Sequence, residues 1–436
     1  MQKTTTKWQI NHSVMHKSSY FLRFFNLSLR AINLAGKFAI IFFLAKYLSP
    51  NEVGSYGLLI ATISYSMFPL GLEFHTYNTR EIIASQKSEW GWLIKNQASL
   101  YLRCYFFILP FFLIIFIADF LPWRMASWFF LLLIFEHINQ EMIRLLIVMS
   151  KQISASISIL IRQGVWSIPV LLCIYFLPNT RNLEFILSAW LTANICAFFL
   201  SALTIYLLPI SGWHLPVDWN SIKIGIKTSS TLLIANLSIC LIWILDKYLF
   251  EYIQGSKTLG AYVFFLSLAS SSLSLLEAFV FSFIYPKMIR AAQDNNIRLL
   301  KKHTMSMIKQ TLLFYFLFSI IACLSLNFIL EQINKNTYSE NIGLFYLSLA
   351  AVAIYALSAS FNYVLYALRK DKKIAKINIC GVIFFITSTV FFSTINSQIA
   401  VPAGICSAFL FILLIEAKIA ANLFIKNSVP IKKSIT

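Results

Sequence analysis

The sequence predicts an all-α polytopic membrane protein, with about 12 transmembrane helices in two six-helix lobes related by a parallel internal repeat. Three observations predict it. Of 436 residues, 58% are hydrophobic and 12% charged, whereas soluble globular chains carry about 25% charged residues. So little charge cannot wet the surface of a soluble protein of this size. The apolar residues fall in continuous runs of about 20, the length of a spanning helix, not in the shorter alternating segments of a membrane β-barrel. Short motifs then recur about 200 residues apart. A soluble enzyme, a disordered chain and a nucleic-acid-binding domain are excluded.

Residues 1–27 are polar and mixed (Lys3, Lys7, His12, Lys17, Arg23) and lack the apolar core and cleavage site of a signal peptide. They read as a cytoplasmic N-terminal segment ahead of a span that inserts and stays. Six spans are predicted near 28–46, 55–73, 97–119, 128–149, 155–177 and 186–208, which make a lobe over 28–208. A cytoplasmic linker over 209–226 leads to six more, near 227–250, 260–286, 309–330, 343–368, 375–393 and 401–424. These form a second lobe over 227–424, followed by a cytoplasmic tail over 425–436. Pro69, Pro110 and Pro169 fall inside spans, where each removes a backbone hydrogen bond and favours a kink.

The net charge of +19 is distributed by side. The loops on the N-terminal side carry 21 Lys and Arg, and those on the other side carry only Arg124, Arg181, Lys257 and Lys335. By the positive-inside rule both termini are cytoplasmic. The basic excess is therefore a topology signal and implies no nucleic-acid partner. The longest loop on the outer side, about 331–342, is too short for a folded domain. No Gly-rich phosphate loop is present, and the expectation is a protein that is not an enzyme. Seven cysteines stand singly in apolar stretches without metal-ligand spacing, so neither metal nor cofactor is expected.

The repeat is carried by short motifs. Asn33-Leu34 leads to Ala45-Lys46-Tyr47-Leu48, and Asn236-Leu237 leads to Asp246-Lys247-Tyr248-Leu249. Gly54-Ser55-Tyr56 and Gly260-Ala261-Tyr262 each open the next helix. Leu146–Ala155, with Lys151, loosely matches Leu368–Ala375, with Lys370. Six spans is an even number, so the copies keep one orientation and are related by an axis along the membrane normal. Two such bundles can rock about a central cavity. Chance recurrence in a biased composition is the competing reading.

Charges inside spans are expensive, about 2.5–3.5 kcal/mol at the bilayer centre, and usually face a cavity or one another. Arg30, Asn33 and Lys37 lie on one face of the first span. Glu136, His137, Gln140, Glu141 and Arg144 occupy roughly 140° of the fourth at about 100° per residue. Arg103 and Arg162 add two more cations. Asp246 and Lys247 lie near the outer end of the seventh span, Glu277 is in the eighth, and Glu416 and Lys418 are in the twelfth. Arg30, Lys37, Arg103, Arg144 and Arg162 suit a cationic cavity for an anionic ligand, because Arg matches phosphate geometry. Glu136, His137, Glu141, Asp246, Glu277 and Glu416 serve either ion coupling or structural pairing. Both readings stay open.

The run Leu44-Ala45-Lys46-Tyr47-Leu48-Ser49-Pro50-Asn51-Glu52-Val53-Gly54-Ser55-Tyr56-Gly57 resembles the first outer loop of Wzx-type polysaccharide flippases. These belong to the multidrug/oligosaccharidyl-lipid/polysaccharide exporter superfamily. Asp246-Lys247 followed by Gly260-x-Tyr262 is similar to the opening of that family's second half. The resemblance implies translocation of undecaprenyl-diphosphate-linked O-antigen or other polysaccharide repeat units by ion-coupled alternating access. It also implies a setting in membrane lipid beside a polysaccharide polymerase and a chain-length regulator. Lys37, Arg103 and Arg162 would be the equivalents, by role, of the family's cavity cations. A multidrug/cation antiporter of the same superfamily is the alternative, although it would favour an acidic pocket. A membrane glycan polymerase is the enzymatic one, disfavoured by the short outer loops.

Overall fold

A computed structural model describes residue 29 and residues 32–426, and every regular element among them is helical. Arg30 and most of both terminal segments lie outside the described residues. The first half comprises α1 (32–47), α2 (Pro50–Gly71), α3 (Phe74–Ala84), α4 (Trp90–Ile108), α5 (Ala126–Val148), α6 (Gln152–Phe176) and α7 (Leu183–Tyr206). The second half begins with one hydrogen-bonded run over Trp219–Gln293 that bends at Gly255, giving α8 (219–254) and α9 (256–293). It continues with α10 (Ile297–Ile333), the short α11 (Asn336–Glu340), α12 (Gly343–Ala367), α13 (Asp371–Ser393) and α14 (Ala400–Lys426).

Nine helices among the described residues are long and apolar enough to cross a membrane, counting Trp219–Gln293 once. The polar α5 is not among them, because Glu136, His137, Gln140, Glu141 and Arg144 lower its hydropathy. Large side chains such as Phe106, Phe111, Ile321 and Leu324 stand exposed around the outside. Monomeric soluble proteins rarely expose apolar patches above a few hundred Å², and here lipid is the solvent. The chain is a multi-pass membrane protein.

The prolines act as their chemistry requires. Pro69 precedes the end of α2 at Gly71, where Leu72 and Glu73 both take the left-handed conformation (φ 49° and 53°) before α3 resumes. Pro110 lies in a 3₁₀ stretch, Leu109–Leu113. Pro169 would clash with the carbonyl four residues back, at Val165, and there α6 widens into a π-turn over Ile161–Val165. The motif Ser49-Pro50-Asn51-Glu52 is a capping box. The Ser49 hydroxyl accepts from the Glu52 amide, the Glu52 carboxylate accepts from the Ser49 amide at 3.0 Å, and proline takes the first helical position.

The internal repeat is visible in space. The start of α2 packs on the start of α9 through equivalent residues. Gly54 meets the Ser256 carbonyl, where a Cβ would come within 3.0 Å, and a Cβ on Gly260 would overlap the Pro50 carbonyl. Gly57 sits against Val263. Each pairing exchanges positions 206 apart in sequence, as a two-fold axis between α2 and α9 demands. The two weakly matched turns also coincide. Ser150 (φ 62°) and Arg369 (φ 54°) both close a helix in the left-handed region. The following amides bond in the same way, Lys151 to the Leu146 carbonyl and Lys370 to the Leu365 carbonyl, both at 2.8 Å.

The halves are thus joined at the ends of α2 and α9 on one face, called here the closed face. Lys335, ahead of α11, adds a link there, its ammonium donating to the Ala45 carbonyl at 2.7 Å and to the Leu48 carbonyl at the end of α1. The opposite face carries the loops after α3 and between α12 and α13, and is called the basic face.

Candidate functional site

The polar face of α5 is buried inside the first half, and its charges are matched one by one. Glu136 accepts from the Trp190 indole at 2.8 Å and the Asn194 amide at 2.9 Å, both on α7, and lies 3.5 Å from Arg162. The π-turn in α6 carries that arginine. Glu141 accepts from the Tyr101 hydroxyl at 2.7 Å and the Gln97 amide at 2.8 Å, and pairs with Arg144 one turn on. His137 shares a 2.6 Å hydrogen bond with the Tyr105 hydroxyl through Nδ1. Its Nε2 has no hydrogen-bond partner among the described residues and faces Gly71, where a Cβ would come within 2.9 Å.

This network continues to residues that the sequence reading did not single out. Arg144 reaches His75 Nδ1 at 3.0 Å, and His75 Nε2 lies 3.6 Å from the Glu73 carboxylate. Glu73 in turn accepts from the Asn236 amide of α8 at 3.1 Å. Glu73 stands at the two-residue break between α2 and α3 and is buried, so the break places a carboxylate at the junction of the two halves. The space beside it holds about 40 Å³, lined by Gly71, Glu73, His75, His137, Glu141 and Arg144 among others. That admits water and no organic substrate.

Of the five proposed cavity cations, the four described stand in different settings. Arg144 and Arg162 are paired to Glu141 and Glu136. The Arg103 guanidinium stacks 3.5 Å above the Trp219 ring, where α4 meets the start of α8. Arg30 is outside the described residues. Lys37 is different. At about 100° per residue it lies within roughly 20° of Leu44 and Leu48 around α1, and both leucines are 1% exposed while Lys37 is exposed. The inward stripe of α1 is therefore sealed towards the closed face and opens at Lys37. Arg162 and Glu136 are its charged neighbours, and Lys37 makes no ion pair of its own among the described residues.

In the second half, Asp246 is fully buried, accepting from Lys247 at 3.1 Å and from the Tyr262 hydroxyl at 2.8 Å, while Tyr262 stacks on Phe250. Glu416 accepts from Ser358 at 2.6 Å and Asn362 at 2.7 Å, with no cation at ion-pair distance among the described residues. Glu277 is exposed on a π-turn of α9 and unpaired among the described residues. The seven cysteines are free, three of them on the outer surface, and no His/Cys/Asp/Glu cluster suited to a metal occurs among the described residues.

Two larger spaces join the halves. An apolar groove of about 540 Å³ runs between Leu34 and Phe38 of α1 and Leu268, Leu275, Phe318 and Ile329 of α9 and α10. At the basic face, about 440 Å³ lies between Thr76, Tyr77 and Arg80 of α3, Thr228 and Thr231 of α8, and the Arg369–Lys373 turn.

A two-lobed helical bundle with a polar interior, closed at one face and concave at the other, is the architecture on which alternating-access transporters are built. No protein-family model and no curated protein matches the sequence. Solved structures do. An inward-facing multidrug resistance MATE family transporter of the MOP superfamily superposes with a TM-score of 0.74 at 11% identity, covering 94% of this chain and 96% of that one. An outward-facing multidrug resistance MATE family transporter of the MOP superfamily gives 0.59 at 12% identity, over 93% and 96%. A MOP superfamily transporter from Pyrococcus furiosus, described as having a binding pocket of reversed polarity that suggests a different function, gives 0.62 at 11% over 94% and 96%. The chain has the fold of MATE family transporters of the MOP superfamily.

Proposed function

We propose that the protein is an alternating-access flippase for amphiphilic anions, specifically undecaprenyl-diphosphate-linked oligosaccharide repeat units. The basic face would be cytoplasmic in a bacterial inner membrane. The observation that carries the reading is Lys37. It is a cation with no ion pair among the described residues, on the inward stripe of α1 and about 60° around the helix from Leu34, which lines the apolar groove. A charged headgroup would meet the lysine while an isoprenoid tail lies against the groove. The 21 basic residues on one side support the orientation. A polysaccharide polymerase and a chain-length regulator would act on the product.

A second reading, multidrug or cation antiport, is favoured by the named activities of the solved neighbours and by acids with no Lys or Arg partner among the described residues. Glu73 at the junction of the halves and Glu416 in the second are such acids. Glycan analysis of a deletion strain, with lipid-linked intermediates assayed for their leaflet, separates the two. Repeat units held in the inner leaflet with loss of surface polysaccharide support the flippase. Unchanged glycan with altered drug sensitivity supports the antiporter. Units that reach the outer leaflet unpolymerised would instead identify a polymerase.

A further inference from the structure

The concave space at the basic face has a charge pattern that topology does not require. Arg80 reaches it from the first half, and Arg369, Lys370, Lys372 and Lys373 from the second, with Asp371 the one carboxylate in the lining. All five cations are exposed, and none makes an ion pair among the described residues. Like charges converging on one cavity repel unless an anion joins them. The positive-inside effect depends on how many Lys and Arg a loop carries, not on their meeting in one concavity.

The internal repeat supplies a control. The turn at Ser150-Lys151 has the same left-handed closure and the same hydrogen bonds as the turn at Arg369-Lys370. Yet only one of residues 150–154 is basic, against four of 369–373. The space beside that first-half turn, about 340 Å³ between Leu29, Asn33 and Gln152–Leu160, has no charged side chain among its described lining residues. Closing the turn therefore does not need the cations. At about 440 Å³ the basic space falls within the range of small-molecule sites. Its floor is where the halves touch, through Thr76 and Ser229 at 3.0 Å and Tyr77 and Ser221 at 3.2 Å.

We propose that Arg80 and the Arg369–Lys373 turn form a binding site for a phosphate or diphosphate headgroup, and that the bound anion bridges the two halves in this conformation. Guanidinium and ammonium groups supply the charge-assisted hydrogen bonds that phosphate oxygens take. The headgroup could be brought by a polyprenyl diphosphate or by an anionic phospholipid. The first source rests on the flippase reading, whereas the site itself does not.

The test uses the full chain in phosphatidylcholine nanodiscs, titrated with farnesyl diphosphate and, separately, with inorganic pyrophosphate. The expected result is saturable binding of both, weakened about tenfold or more by the triple variant Arg369→Gln/Lys372→Gln/Lys373→Gln. The exposed single variant Arg80→Gln, from the other half, is expected to weaken both by several-fold, and decides the matter if the triple variant fails to fold. Wild-type binding in both folded variants, or no saturable binding by the wild type, overturns the proposal. Phosphatidylglycerol nanodiscs distinguish the sources: loss of farnesyl diphosphate binding there assigns the site to bulk lipid, and retention assigns it to the diphosphate. Normal glycan export by a deletion strain, with binding intact, would sink the flippase reading alone.

Discussion

Glu136 and Arg162 show what a single residue of this sequence does and does not reveal. That α5 has a wet or internally paired face follows from its 3.6-residue spacing, and the structure pairs it. The partners are invisible in the sequence, because Trp190, Asn194 and Arg162 come from other helices and only packing brings them within 3.5 Å. Removing one member of a buried pair leaves the other uncompensated, at about 3–5 kcal/mol, whereas replacing both by apolar groups is often close to neutral. Glu136→Gln is therefore expected to lower the melting temperature in detergent strongly, and Glu136→Leu/Arg162→Met to recover most of the loss. Additive losses in the double variant would show that the two act independently. Among the described residues Lys37 has no pair to lose. Lys37→Glu is expected to abolish surface glycan in a complemented deletion strain while expression and melting stay at wild-type levels, and Lys37→Arg to retain export. Wild-type glycan from Lys37→Glu would remove the residue from the transport path.

At the level of elements, the repeat was legible and its meaning was not. Gly54-x-Tyr56 and Gly260-x-Tyr262 stand out as strings, yet the reason for glycine emerges only where α2 and α9 press backbone against backbone. A side chain at Gly260 would overlap the Pro50 carbonyl, so Gly260→Val should prise the closed face apart. Faster labelling of a cysteine placed at Val263 would report it, and an unchanged rate would mean that the helices shift without opening. The stretch from Ser49 to Glu52, which carries part of the resemblance to flippases, has a local cause: it is a capping box, and Ser49→Ala should cost about 1 kcal/mol through the lost cap. Read by hydropathy, the second span simply ends near residue 73. In the structure two left-handed residues break the helix there and set Glu73 against Asn236 of the other half. Pro69 and Gly71 just upstream were the available signal, but a span boundary and a functional break look alike in hydropathy.

For the whole molecule, the alternating access proposed above requires that contacts on the closed face be breakable while each half stays intact. The distribution of interactions meets that requirement. Within the first half the ties are buried ion pairs and multi-centre hydrogen bonds around Glu136 and Glu141. Between the halves on the closed face they are glycine contacts, the 2.6 Å Thr62–Tyr248 hydroxyl bond and the Lys335 ammonium on two carbonyls. Such contacts would be exchanged for water if the face opened, since a solvated ammonium and solvated carbonyls lose little. Fixing that face should then stop the cycle without damaging the fold. Gly57 and Val263 are close enough for the purpose, because a Cβ built on Gly57 comes within 3.0 Å of the Val263 Cβ, near the roughly 3.5–4.5 Å that a disulfide spans. In a background with the seven native cysteines replaced, Gly57→Cys/Val263→Cys is expected to cross-link under mild oxidation, to lose transport and to regain it on reduction, with each single variant insensitive to oxidant. Full transport by the cross-linked protein would mean that α2 and α9 never separate, and that substrate passes without the rocking of two lobes.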